Sequence, residues 1–127
     1  MLKSLQKYLK LDNAWNGTVD IAHYCSIESD ADKNQIVGYL RDSAQLINLM
    51  GYYCNAFTGQ IADLGITIYS DGNWVWDSII VYHYEKYNLQ LPEDFIKHMR
   101  RNEWILQKFD EDLTWQIFKS GQMLYVT

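Results

Sequence analysis

The chain has one proline, two cysteines and three histidines in 127 residues, and each scarcity closes off a class of protein. With only Cys25 and Cys54, no disulfide-dense secreted scaffold can be built, and neither cysteine has the Cys/His spacing of a zinc site. They are expected to be buried free thiols. His23, His83 and His98 lie too far apart for a helical two-histidine motif or an HExxH motif, so no metal and no cofactor is expected. Apolar runs such as Ile79 to Tyr82 fall far short of the ~20 residues that a membrane span needs. The N-terminal MLKSLQKYLKLDNAW lacks both the unbroken apolar stretch and the small-residue cleavage site of a secretion signal, which makes a cytoplasmic protein the expectation. A Walker loop, a GxGxxG turn and a G-x-S-x-G elbow are also missing.

Basic residues are in short supply too. Against 11 Lys and Arg stand 16 Asp and Glu, for a formal net charge of -5. Gripping a phosphate backbone needs clustered cations, so nucleic acid is not an expected partner, and anionic membrane surfaces are disfavoured for the same reason. An acidic globule suits a cationic protein partner, because opposite charge steers the encounter. Hydrophobic residues still make up 48% and aromatics 15%, too much for a disordered acidic tail. A chain of this length buries a core without covalent staples, and no linker, repeat or low-complexity stretch divides it. One globular domain over residues 1–127 is expected.

Periodicity places the elements. Leu2, Leu5, Tyr8 and Leu9 have helical spacing, which predicts a short amphipathic helix over residues 2–10. Ser29 and Asp32 can cap a long helix carrying Ile36, Val37, Leu40, Ala44, Ile47 and Met50, terminated by Gly51, with Gly38 inside it marking close packing against a neighbour. Ile66 and Ile68, then Trp74 and Trp76, flank Ser70-Asp71-Gly72-Asn73, whose Asp-Gly pair predicts a tight β-hairpin turn. Asp77 or Ser78 can cap a helix through Ile80, Val81, Tyr84 and Tyr87 that ends near Asn88. Pro92 suits the first position of the next helix, with Glu93 and Asp94 at its positive end, Arg100 and Arg101 at its negative end, and Phe95, Ile96 and Met99 inward. Trp104 to Leu106 read as extended. Asp110 caps a last helix with Leu113, Ile117 and Phe118 inward and Gly121 closing it, followed by a strand from Met123 to Val126. The fold class is therefore α+β, helix-dominated, with a central β-hairpin.

Candidate chemistry is sparse. One arrangement would bring His83, His98 and an acid such as Asp94 together, although histidines bonded to backbone are commoner. The acidic groups Glu28, Asp30 and Asp32, and Asp110, Glu111 and Asp112, precede predicted helices, where capping explains carboxylates better than acid/base catalysis does. The aromatics are more telling. Tyr52, Tyr53, Phe57, Tyr69, Trp74, Trp76, Tyr82, Tyr84 and Tyr87 crowd the middle of the chain; most are core, and those left outside beside Asp have the composition of a protein-binding hot spot.

The stretch from Tyr39-Leu40 to Trp104 carries Ser70-Asp71-Gly72-Asn73-Trp74-Val75-Trp76, the aromatic run Tyr82 to Tyr87, and Leu91-Pro92-Glu93-Asp94-Phe95 with His98. This order resembles a family of small bacterial proteins with the pattern YL, SDGxWxW, an aromatic helix, LPxxF and a nearby His, similar to the immunity proteins encoded beside polymorphic or contact-dependent growth-inhibition toxins. Relatives often have proline after the second tryptophan where this chain has Asp77, a departure that changes the helix start. The resemblance implies a non-enzymatic, cytoplasmic antitoxin that binds the C-terminal domain of one cognate toxin, a nuclease given the charge argument. Glu28, Asp30, Asp32, Asp110, Glu111 and Asp112 are then the candidate partner-binding residues. The alternatives from other classes are a small hydrolase or ligand-binding enzyme using His83 or His98 with a carboxylate, and an adaptor subunit.

Overall fold

Ser70-Asp71-Gly72-Asn73 forms the turn that organises the sheet. It joins strand β3 (Ile61–Ser70) to β4 (Trp74–Asp77) in the computed structural model, which describes residues 2–5 and 21–120. The Asp71 carboxylate accepts from the backbone N–H groups of Asn73 and Trp74 at 2.9 and 2.8 Å, and the Ser70 hydroxyl donates to the Trp74 carbonyl at 2.7 Å. Gly72 is required twice over. Its φ is +94°, and a Cβ there would sit 2.8 Å from the Phe109 ring. The expected hairpin is present.

The sheet is larger than that hairpin. Strand β2 (Ala44–Cys54) pairs antiparallel with β3 along most of its length, and a short strand β1 (Lys3–Ser4) pairs parallel with β4, giving the order β1-β4-β3-β2. Two expectations are revised here. The expected helix over residues 2–10 gives way to a strand at Lys3–Ser4, with Leu5 helical, while residues 6–10 lie outside the described residues. The long helix expected to reach Met50 stops at Asp42: helix α1 (Lys33–Asp42) ends where Ser43 turns extended, at ψ 162°, with its hydroxyl donating to the Tyr39 carbonyl at 2.6 Å. Gly51 is therefore no helix terminator. It sits at φ +124° where the β2–β3 register shifts between Leu49 and Tyr52, a bulge position. Nor does Gly38 mark close packing, since a Cβ there would meet nothing within 4 Å.

Downstream the expected caps are in place. Asp77 accepts from the Ile80 N–H at 3.0 Å to start α2 (Ser78–Tyr87), and Asn88 closes it in the left-handed conformation with φ +55°. Pro92 stands one position earlier than expected, at the N-cap of α3 (Glu93–Arg101). Trp104 is not extended: Glu103 and Trp104 both take positive φ, +53° and +62°, and the Trp104 N–H reaches back to the Met99 carbonyl at 3.1 Å. Asp110 caps α4 (Glu111–Ser120) by accepting from the Leu113 N–H at 3.0 Å. Leu113, expected inward, is exposed, whereas Ile117 and Phe118 pack against the core. Gly121 and Met123 to Val126 lie outside the described residues.

The core forms where α1, α2 and α3 meet the β3–β4 hairpin. Trp76 is fully buried, its indole N–H donating to the Leu40 carbonyl at 3.1 Å and its ring 5.3 Å from that of Phe95. Tyr39 and Tyr69 stack near the same indole. Burial of so many large rings is the main source of stability, each worth several kcal/mol relative to truncation, of order ~3–5. Cys25 and Cys54 are unpaired and half-buried, less enclosed than expected.

Candidate functional site

The two acidic groups singled out from the sequence have different surroundings. Asp30 accepts from the Tyr84 hydroxyl at 2.7 Å, and Asp32 pairs with Arg100 at 2.9 Å, so two of the first three carboxylates serve contacts inside the fold. Glu28 is exposed, its backbone N–H bonded to the Ser26 hydroxyl. In the second group Asp110 is the cap of α4, but Glu111 and Asp112 stand exposed on its first turn. That helix packs on β2, and Glu111 lies beside Ala44 at the start of the strand.

The histidines do not meet as a ligand set. His83 is fully buried; its Nδ1–H donates to the Ile79 carbonyl at 2.8 Å and its Nε2 accepts from the Ala56 N–H at 3.0 Å. This is a neutral imidazole holding the β2–β3 connection, and burial pushes its pKa below the usual value despite the opposing bond to Ile79. His98 pairs with Asp71 at 2.8 Å, not with Asp94. Among the described residues no group of three His, Cys, Asp or Glu could hold a metal ion.

Asp71 is the hub that sequence reasoning assigned to the turn alone. Besides two backbone N–H groups and His98, it accepts from the Tyr39 hydroxyl at 2.5 Å. Burial by itself would raise its pKa, but those hydrogen bonds outweigh it and hold the carboxyl below the usual range. Asp77 shows the reverse balance. Burial pushes it up to about 6 although the backbone N–H groups of Ile80 and Ile79 pull it down, and its Oδ2 has no partner among the described residues. Asn55 was missed altogether: its side chain accepts from the N–H groups of Phe57 and Thr58 and donates to the Tyr82 hydroxyl at 3.0 Å, fixing the connection between β2 and β3.

The most unusual surface lies at that end of the β2–β3 ladder. Met50 is 98% exposed, Leu64 77%, Ile61 58% and Tyr52 54%, and Tyr52 and Leu64 are register partners. Phe57 is exposed in the adjoining connection, with its ring 4.3 Å from Tyr87. Large apolar side chains grouped on one edge hairpin are a recognised mark of an interaction surface, unlike scattered single ones. The sequence signal is the run Met50 to Tyr53, obscured where the expected helix runs on to Met50 and Gly51 reads as its terminator. Eight residues of strand separate Ala44 from Tyr52, about 26 Å at the usual rise. That separation is comparable with the width of a standard interface, about 30 Å.

No helix among the described residues is long and apolar enough to cross a membrane. Comparison of the chain with protein-family models, curated proteins and solved structures gave no match.

Proposed function

We propose that this chain is an immunity protein, a cytoplasmic stoichiometric inhibitor that binds the C-terminal domain of a cognate toxin of the polymorphic or contact-dependent growth-inhibition kind. The observation that carries this reading is the exposed apolar group on the edge hairpin, Met50, Tyr52, Ile61 and Leu64. Such side chains supply the desolvated centre of an interface, and the net charge of -5 with exposed Asp63, Glu111 and Asp112 along the same hairpin and helix start selects a cationic partner. A nuclease domain fits, because the Lys and Arg that grip a phosphate backbone are what an acidic inhibitor covers.

The experiment is co-expression with the C-terminal domain of a large secreted toxin encoded next to this chain. Cells survive if the chain neutralises the domain, and continued killing despite soluble, folded chain rejects the reading. Glu111→Lys with Asp112→Lys, which spares the Asp110 cap, slows association and flattens its salt dependence if those groups steer the encounter.

A second reading, a small enzyme, draws on the His98 imidazole held by buried Asp71. His98→Ala that leaves toxin protection intact separates the two, since an inhibitor has no use for a general base. His83 does not serve the enzyme reading, being fully buried with both nitrogens bonded to the backbone.

A further inference from the structure

We propose that the cleft between β1, the β3–β4 turn and α3 binds a small organic phosphate carrying at least two negative charges, such as a nucleoside diphosphate. The cleft measures about 820 Å³, and Lys3, Lys97, His98, Arg100 and Arg101 line it. In an acidic chain with 11 Lys and Arg in all, four of them thus surround one cavity, whose lining among the described residues includes a single carboxylate, Asp94. Bringing like charges together is unfavourable, and a guest of opposite charge relieves it.

Internal partners account for part of this charge only. Arg100 pairs with Asp32, and Lys97 stands 3.6 Å from Glu93 across one exposed helical turn. Lys3 lies over the Trp74 ring at 5.2 Å, and the Arg101 guanidinium has no partner among the described residues. Compensation of the α3 dipole explains His98, Arg100 and Arg101 in its last turn. It does not explain Lys3, brought in from another element by the parallel pairing of β1 with β4, nor Lys97 earlier on the helix.

The site is also held in shape. His98 is fixed through Nε2 by Asp71, which is itself tied to Tyr39 and to the turn backbone, and this leaves Nδ1 without a partner among the described residues. The Asn73 side chain adds a polar group from the turn. A volume of this size exceeds one phosphate and falls within the roughly 300–1,000 Å³ of small-molecule pockets, which points to an organic phosphate over inorganic phosphate. The planar fork of Arg101 favours a phosphate group, which it can bind in bidentate fashion. The cleft lies apart from the exposed β2–β3 hairpin and would bind its ligand whatever that hairpin docks.

The test is calorimetric titration of the full chain with ADP and with inorganic pyrophosphate at low salt, with malonate as the dicarboxylate control. Saturable one-to-one binding of ADP is expected, weakened about tenfold by Arg101→Ala and further by Lys97→Ala, as loss of a charged hydrogen bond implies. Both side chains are exposed, so the melting temperature without ligand should not move; Lys108→Ala, outside the cleft, should leave binding unchanged. Absence of binding, equal affinity for malonate, or binding that survives the Arg101→Ala, Lys97→Ala pair overturns the proposal. So does association with vesicles containing a phosphoinositide when ADP and pyrophosphate do not bind, because the cleft would then be reading a membrane surface.

Discussion

Replacing Asp77 by asparagine should make the protein more stable at neutral pH and leave its stability in acid nearly unchanged, a pH dependence that follows from one buried carboxyl. Its pKa is raised from 3.8 to about 6 in the fold. A group whose folded pKa is raised contributes stability that is fully present below the unfolded value and lost as pH rises through the folded one. At about pH 7 the ionised side chain therefore costs about 3 kcal/mol, from roughly two pKa units at 1.36 kcal/mol each. Asparagine keeps an oxygen for the Ile80 N–H and places a neutral amide donor at Oδ2, where the protonated native carboxyl likewise carries a hydrogen with no partner among the described residues. The variant should gain about 1–3 kcal/mol near pH 7 and differ little from the native chain below about pH 4, where the native carboxyl is already neutral. Urea titrations followed by tryptophan fluorescence across this range measure the difference directly. His83, whose depressed pKa makes stability fall as pH drops below 6.5, acts equally in both proteins and cancels. A difference that stays flat with pH would show that Asp77 is neither desolvated nor unpaired as described.

Three further outcomes test the packing. Trp76→Ala should cost about 3–5 kcal/mol, since it removes a buried ring and strands the Leu40 carbonyl; an unchanged denaturation midpoint places the ring elsewhere. Gly38→Ala should stabilise by roughly 0.5–1 kcal/mol, because the added methyl meets open space in a helix interior, and a loss would reveal a contact there. Reversing Glu28, Asp30 and Asp32 to lysine should lower stability by about 1 kcal/mol or more through the Tyr84 and Arg100 contacts, while Glu111→Lys with Asp112→Lys leaves the melting temperature nearly unchanged.

Local chemistry was legible and long-range assembly was not. The Asp71-Gly72 turn, the Asp77 and Asp110 caps and the Asn88 stop were read correctly because each is decided within four residues. The α+β class followed from them. The error over Ala44–Met50 has a physical cause: Ala44, Ile47 and Met50 repeat every three residues as on a helix, whereas in the sheet bulges near Ile47 and Tyr52 break the strict alternation that marks a strand. Tyr52-Tyr53-Cys54 carried the β preference that argued the other way. The same error hid the exposed hairpin surface. The Tyr39–Asp71–His98 network joins residues 32 and 27 positions apart, and no local pattern announces it. Asp30 and Asp32 looked like docking groups because their partners Tyr84 and Arg100 are more than fifty residues away.

The β2–β3 hairpin surface is the proposed docking site for a toxin domain. Titrating the purified chain with the C-terminal domain of an adjacently encoded secreted toxin tests it most directly, comparing the native chain with Met50→Asp, Leu64→Asp. Both side chains are solvent-exposed, so the double variant should fold with an unchanged melting temperature. A one-to-one complex is expected, with an affinity about 100-fold weaker in the variant, the ~3 kcal/mol of an interface hot spot. Equal affinity of the two proteins, or no complex with the native chain, would contradict it.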